Sequence, residues 1–141
     1  MSKENKQALK EEITKLIQKH NASWLEHDVE SLFEINQGYC ADYADSFMQL
    51  ASTSDIDHSQ LELVGLYNYE DLESQGFHLA PRPSWIEWSG FLELLKSDCF
   101  NHTFIRYLDR FYDSECVQGV LSPFDLPIFQ RAAKEYGQLP S

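Results

Sequence analysis

The sequence has few basic residues for its length. Lys and Arg number 11 against 23 Asp and Glu in 141 residues, which gives a formal net charge of -12. Nucleic acids and anionic membranes are bound by clustered Lys and Arg, so this charge balance disfavours both as partners. The five Lys of residues 3–19 are interleaved with Glu and are typical of a solvated helix face. We therefore expect no nucleic acid and no membrane partner.

Long apolar runs are also missing. The first six residues lack the apolar centre of a signal peptide. No stretch approaches the roughly 18 consecutive apolar residues that a membrane span requires. These absences predict a soluble protein of the cytoplasm.

Cysteine is scarce as well. The three residues Cys40, Cys99 and Cys116 cannot all pair within one chain, and they show no C-x-x-C spacing. Neither a disulfide framework nor a zinc ribbon is indicated, and we expect reduced thiols.

What the sequence does contain is enough apolar material for one core. It is 43% hydrophobic, with nine Phe, seven Tyr and three Trp, which suits a single domain over residues 1–141. No repeat or linker interrupts it. We divide it into N-terminal helices (1–35), a central core (36–116) and a C-terminal helix (117–141).

Residue spacing predicts an α+β fold. Apolar residues at helical intervals indicate a first helix from residue 6 to beyond 20, a short helix capped by Asp28, and a third helix beginning near Cys40. Later helices are predicted at 84–96 and 127–136. Strands are predicted at 61–67, 103–108 and 110–113, the last two forming an antiparallel hairpin. The helices are expected to pack on this small antiparallel sheet.

Cys40 stands where a glycine-containing loop becomes a helix. The first turn of a helix offers unpaired N–H groups and the positive end of the macrodipole, and both favour thiolate over thiol. Asp42 and Asp45 lie in the first two turns, and their negative charge disfavours a thiolate. The helical spacing directs both to solvent.

His102 and Asp113 belong to the predicted hairpin and complete a Cys-His-Asp set in chain order. If residues 106–109 form a four-residue loop, His102 lies directly opposite Asp113. If Asp109-Arg110 forms a two-residue turn, Glu115 lies diagonal to His102 instead. Asp-Arg suits such a turn poorly, so the sequence favours the longer loop and Asp113, with Glu115 as the substitute acid.

A zinc site is the other use of these side chains. Cys40, His102 and Asp113 could ligate the metal, with His58 or His78 as a fourth ligand. None of them shows the short paired spacing that zinc ligands usually have. We expect no metal and no cofactor.

The pattern of Gly-x-Cys at a helix start, a later His at the head of a strand, and an acid about a dozen residues further on resembles the papain-like superfamily. The nearest resemblance is to its bacterial transglutaminase-like and NlpC-type cysteine peptidase branches. It covers roughly Gly38 to Glu115. The resemblance implies a papain-like core in which the thiolate, at the tip of a helix packed on the sheet, faces an imidazole on the sheet.

The same resemblance implies roles for individual residues. Cys40 would be the nucleophile, His102 the base, and Asp113 the group that orients the imidazole. The backbone N–H of Cys40 would be one oxyanion donor, and the side chain of Gln37 or Asn36 the second.

The implied activity is that of a cysteine hydrolase or acyltransferase, acting on an amide or thioester through an acyl-Cys intermediate. Its substrate would be a peptide, an isopeptide or a glutamine side chain, in a peptide or protein. Trp85 and Trp88 either frame a substrate groove or pack in the core. The alternative is a non-catalytic acidic interaction or inhibitor protein on the same fold, which the net charge supports. The reactivity of Cys40 distinguishes the two.

Overall fold

The structure is a computed structural model that describes residues 3–66, 69–77 and 102–135. The helices are α1 (Lys3–His27), α2 (Leu32–Ile35), α3 (Cys40–Ala51), α4 (Tyr69–Ser74) and α5 (Pro127–Glu135), with short 3-10 turns at His58–Gln60 and Pro123–Asp125. The strands are β1 (Leu61–Leu66), β2 (His102–Tyr107), β3 (Arg110–Asp113) and β4 (Cys116–Val120). They form one antiparallel sheet in the order β1-β2-β3-β4. The chain is therefore α+β, as predicted.

Three sets of residues named above lie outside the described residues. They are the predicted helix at 84–96 with Trp85 and Trp88, the side chain of Cys99, and His78.

Apolar side chains cover both faces of the sheet, because successive residues of a strand point to opposite sides. Ile105 and Tyr107 of β2 pack toward α1 and α3. Phe104, the residue before Ile105, packs on the opposite face in a cluster with the α5 residue Phe129. None of the helices in the described segments combines the length and apolar character that a bilayer crossing needs.

Helix α3 follows its predicted amphipathic pattern. Ala44, Phe47 and Ala51 are buried, whereas Asp42 and Asp45 are exposed. Packing this face on β2 fixes the direction of the helix axis. The first residue of α3, Cys40, consequently lies at the end of the sheet where β2 begins.

The start of α2 differs from the prediction. Its N-cap is Ser31, whose hydroxyl oxygen accepts a hydrogen bond from the Glu34 N–H. The proposed cap, Asp28, instead follows the C-terminal end of α1, and its backbone N–H donates to the Trp24 carbonyl. Helix α1 continues to His27, so Asp28 directly follows its last residue, and the next helix begins only at Leu32.

Both registers considered for the β2–β3 hairpin are wrong. Tyr107 pairs with Arg110, so the turn consists of Leu108 and Asp109. Leu108 adopts a positive φ of 57°, which costs a residue with a side chain about 1–2 kcal/mol. Two contacts offset this cost: the Leu108 N–H donates to the Gln60 carbonyl, and its half-buried side chain packs on the cluster beneath α1.

The observed register still brings Asp113 to His102. Continuing the pairing of β2 with β3 places Asp113 opposite Phe104, one step diagonal from His102 on the same face. Glu115 lies beyond the end of β3. The preferred acid is therefore beside His102, although in a register that the sequence did not predict.

Strand β4 was not predicted, because Cys116–Val120 is short and contains a glycine. Its residues 117–120 fall in the segment 117–141 that we assigned to a C-terminal helix, which begins only at Pro127. Gly119 has a φ of 75°, and a Cβ at this position would lie 2.6 Å from the Tyr112 ring. The close approach of this backbone to the ring explains the glycine.

We expect Gly119→Ala to lower the free energy of unfolding well beyond the effect of Gly76→Ala. Gly76 has the same φ of 75°, but none of the described residues lies within 4 Å of the Cβ that alanine would add, so the expected cost there is backbone strain of about 1–2 kcal/mol. At Gly119, overpacking against Tyr112 adds about 1–3 kcal/mol. Urea denaturation of both variants measures the difference, and equal losses would contradict the packing described for β4.

Candidate active site

Cys40 is held at the exposed end of α3 by backbone donors. The N-cap residue, Tyr39, makes no side-chain hydrogen bond to the first turn, so the side chain of Cys40 can use the N–H groups there. The backbone N–H groups of Ala41 and Thr103 both hydrogen-bond to its sulfur. The thiol is thus half-buried between the tip of α3 and the start of β2.

His102, the first residue of β2, is fully buried. Its ring stacks on Phe104 with the centroids 5.4 Å apart, and its edge meets Phe129 at 6.0 Å. These two aromatic rings, one from its own strand and one from α5, fix the plane of the imidazole.

Asp113 binds one nitrogen of this imidazole. Its Oδ2 lies 3.1 Å from Nε2 of His102, and its Oδ1 accepts a hydrogen bond from the Glu115 backbone N–H. An ionised carboxylate only accepts, so the Nε2 proton is donated to Asp113. The carboxylate is itself buried and held from two sides.

The other imidazole nitrogen is left for Cys40. Nδ1 of His102 is buried and has no nitrogen or oxygen partner among the described residues. Its polar neighbour is the Cys40 thiol, and the two groups shift each other's pKa. The imidazole therefore lies between the Asp113 carboxylate and the Cys40 thiol.

The environment favours the thiolate. Burial alone raises the pKa of the Cys40 thiol, but the hydrogen bond from His102, the Thr103 N–H and the charge of the imidazolium lower it by more. The net pKa lies below that of an ordinary thiol. The exposed carboxylates of Asp42 and Asp45 do not reverse this effect.

His102 is affected in the complementary direction. Burial lowers its pKa, but hydrogen bonds to Asp113 and Cys40, together with their negative charges, raise it above the usual value. A lowered thiol pKa beside a raised imidazole pKa is the pattern of a thiolate–imidazolium pair.

Glu115, the substitute acid, is engaged elsewhere. Its two carboxylate oxygens accept hydrogen bonds from Arg131 of α5 at 2.5 and 2.7 Å, and one also accepts from Asn36 Nδ2 at 2.8 Å. The Arg131 guanidinium lies over the Phe33 ring, 4.5 Å from its centroid. Glu115 therefore joins α2 and α5 to the β3–β4 turn and does not bind His102.

The two side chains proposed as oxyanion donors are placed differently from each other. Asn36 is buried and donates its amide to Glu115, which anchors the loop that leads into Cys40. Gln37 is exposed on that loop. Of the predicted donors, the backbone N–H of Cys40 is the one at the tip of α3.

A buried polar network behind the site was not anticipated. The Tyr43 hydroxyl donates to Asn21 Oδ1, and Asn21 Nδ2 donates to the Ser114 carbonyl at 2.9 Å. Burial and the Asp113 charge raise the pKa of Tyr43, which keeps its hydroxyl protonated as a donor. The network joins α1, α3 and the turn after Asp113. A polar Asn21 on the apolar stripe of α1 was the available signal.

The part of the chain that the structure describes contains no cluster of metal-ligating side chains. No group of three His, Cys, Asp or Glu side chains there is arranged to hold an ion. His58, one proposed ligand, hydrogen-bonds through Nε2 to the Ser54 carbonyl.

Comparisons of the chain with protein-family models, with curated proteins and with solved structures give no match.

We expect Asp113→Asn to slow the alkylation of Cys40 more than Glu115→Gln does. Asp113 contacts the imidazole directly, whereas the Glu115 side chain acts on Asn36 and Arg131. Rates of carbamidomethylation at neutral pH, followed by mass spectrometry, measure both effects. A larger effect of Glu115→Gln would mean that Glu115 orients the ring.

Proposed function

We propose that this protein is a cysteine hydrolase or acyltransferase with a papain-like core, acting on an amide or thioester of a peptide or protein. The observation that carries the proposal is the arrangement of Cys40, His102 and Asp113. These residues come from the tip of α3, the start of β2 and the end of β3, and they are 62 and 11 residues apart in sequence. Core packing alone does not require a thiol, an imidazole and a carboxylate in this order.

Each residue has a defined task in the proposed reaction. The Cys40 thiolate forms a C–S bond to the substrate carbonyl carbon, and the π electrons move to the oxygen, near the Cys40 N–H. Collapse of this intermediate breaks the bond to the amine or thiol leaving group. The leaving group takes the proton from Nδ1 of His102, and an acyl-Cys40 thioester remains.

The second half of the reaction reverses the proton flow. Water or an amine attacks the acyl-Cys40 carbonyl and gives its proton to Nδ1 of His102. The C–S bond breaks and the thiolate is restored. Asp113 keeps the Nε2 proton in place and stabilises the imidazolium in both halves. Hydrolysis, glutamine deamidation and acyl transfer share these steps and differ in the attacking group.

The raised pKa of His102 and the lowered pKa of Cys40 support this assignment. A general acid that is already protonated beside a thiolate can protonate the leaving group without a further proton transfer from solvent. The apolar rings of Phe104 and Phe129 keep water away from the imidazole and strengthen its interaction with Asp113.

An activated ester tests the proposal with little demand on substrate recognition. We expect a burst of leaving group close to one equivalent per chain, followed by slower turnover, as acyl-Cys40 accumulates. Cys40→Ala should abolish the burst, whereas Cys116→Ala, the matched control at another half-buried thiol, should retain it.

Folded, reduced protein that gives no burst would contradict the proposal. It would favour a non-catalytic acidic interaction protein, in which Cys40 is a structural residue. A burst that survives Cys40→Ala but is lost in Cys116→Ala would show that the nucleophile is Cys116 and not Cys40.

A further inference from the structure

Asn21 is a buried amide at an apolar position of α1. It follows Ile13 and Ile17 at intervals of four residues on the face of the helix that packs in the core, and all three side chains are buried. An amide in such a position costs free energy unless its polar atoms are hydrogen-bonded. An apolar side chain would satisfy the packing, so the amide is explained by the two hydrogen bonds that it makes.

One of these bonds reaches the helix that carries the nucleophile. The Tyr43 hydroxyl donates to Oδ1 of Asn21. Tyr43 lies three residues after Cys40 in α3, and its backbone N–H donates to the carbonyl of the N-cap residue Tyr39 at 2.8 Å. It therefore lies about one helical turn from the thiol. Holding the Tyr43 side chain consequently holds the end of α3 that presents Cys40.

The other bond reaches the turn that carries the acid. Nδ2 of Asn21 donates at 2.9 Å to the carbonyl of Ser114, which directly follows Asp113 at the end of β3. The buried Ser114 hydroxyl donates in turn to the Leu32 carbonyl of α2 at 3.1 Å. The next residue, Glu115, donates its backbone N–H to Oδ1 of Asp113. A shift of Ser114 would therefore move the donor that fixes the Asp113 carboxylate.

The chemistry of the partners fixes the direction of both bonds. A carbonyl oxygen only accepts, so the amide nitrogen of Asn21 faces Ser114 and the amide oxygen faces Tyr43. The Tyr43 hydroxyl is then the donor, and it stays protonated because burial and the Asp113 charge raise its pKa. The bridge through Asn21 accordingly has a single arrangement of donors and acceptors.

We propose that Asn21 is a positioning residue for the reaction at Cys40. The inference rests on the proposed function. Asn21 joins the first turn of α3 to the turn after Asp113, and it thereby fixes how the thiol and the carboxylate lie on either side of His102. Loss of this bridge loosens Asp113 on the imidazole. A weaker bond from Asp113 lowers the pKa of His102, and a less populated imidazolium raises the pKa of Cys40.

The pH dependence of Cys40 alkylation, together with NMR titration of the His102 ring, tests this role. Asn21→Leu keeps the branching at Cγ and removes both hydrogen bonds. We expect the pKa of His102 to fall and the alkylation midpoint of Cys40 to rise, which slows alkylation at neutral pH about threefold to tenfold. Acylation by an activated ester should slow to a similar extent.

Thr14→Val is the matched control on the same helix. The hydroxyl of the buried Thr14 donates to the Val117 carbonyl of β4 at 2.8 Å, so it also joins α1 to a backbone carbonyl of the sheet. This bond is made neither to α3 nor to the turn after Asp113. Both variants should unfold at lower urea concentration, but Thr14→Val should leave both titrations as in wild type. Equal shifts in the two variants, or unchanged titrations in Asn21→Leu, would overturn the inference.

Tyr43→Phe tests the same bridge with a smaller change, should Asn21→Leu fail to fold. It retains the ring in the core and removes the hydroxyl that donates to Asn21. We expect both titrations to shift in the same directions as in Asn21→Leu, by a smaller amount. Titrations identical to wild type would overturn the inference.

The two readouts separate the positioning role from the proposed function. If Asn21→Leu shifts both titrations but wild type gives no acylation burst, the positioning of the three side chains stands and the proposed function fails. If wild type is acylated, and Asn21→Leu is acylated at the same rate with the same pH profile, the proposed function stands and the positioning role fails.

Discussion

His102→Ala is expected to slow the alkylation of Cys40 by iodoacetamide at neutral pH on the order of tenfold to a hundredfold. The imidazolium supplies both a hydrogen bond and a positive charge to the thiolate. Removing them raises the thiol pKa, and each unit above the ambient pH costs about tenfold in thiolate. Burial of the thiol, which raises the pKa, is then opposed only by backbone donors.

The effect of His102→Ala on the alkylation rate must be distinguished from that of a general loss of packing. His102→Gln keeps a polar side chain of similar length that can donate to Asp113 but cannot hold a transferable proton. His20→Ala removes another buried imidazole, which hydrogen-bonds to the Tyr43 carbonyl and Ser46 at the opposite side of α3. Circular dichroism verifies the fold of each variant. Slowing by His20→Ala as large as that by His102→Ala would contradict the role of His102.

A second large difference is expected between two thiols of the wild-type protein. Cys40 and Cys116 are both half-buried, so access is similar, but burial and the Asp113 charge raise the pKa of Cys116 to about 11. Relative to an ordinary thiol of pKa about 8.5, Cys116 then has roughly 300-fold less thiolate at neutral pH. Cys40 has more than the ordinary thiol.

The higher intrinsic nucleophilicity of a more basic thiolate offsets about tenfold of this difference. We therefore expect Cys40 to react roughly twentyfold faster than Cys116, or more, at pH 7. The rate at Cys40 should rise through a midpoint below that of an ordinary thiol, and the rate at Cys116 through a midpoint near 11. Peptide mapping over a pH series measures both, and coincident profiles would remove the argument for a nucleophile at Cys40.

Local signals in the sequence were sufficient for several parts of this structure. The apolar spacing of α3 predicted its buried face, and the loop before Cys40 predicted where that helix begins. The alternation in β2 and β3 placed His102 and Asp113 on one face, since every register considered preserved that parity. These features depend on residues close together in the chain.

The parts that the sequence did not predict depend on contacts between distant segments. The Leu108–Asp109 turn is tolerated because the carbonyl of Gln60, just before the neighbouring strand β1, accepts the Leu108 N–H. Glu115 is removed from the list of acids by Arg131 of α5, a partner that no spacing rule identifies. Local propensity therefore indicated the candidate residues, and tertiary partners decided which acid meets the imidazole.

Titration of the His102 ring by NMR, in wild type and in Cys40→Ala, tests most directly whether these residues form one functional unit. In wild type its pKa should lie above 6.5, because Asp113 and Cys40 outweigh the effect of burial. In Cys40→Ala the pKa should fall, since the thiolate no longer contributes. His20, whose pKa burial lowers, serves as the internal reference and should change little. If His102 titrates identically in the two proteins, or below 6.5 in wild type, the thiolate–imidazolium pair does not exist.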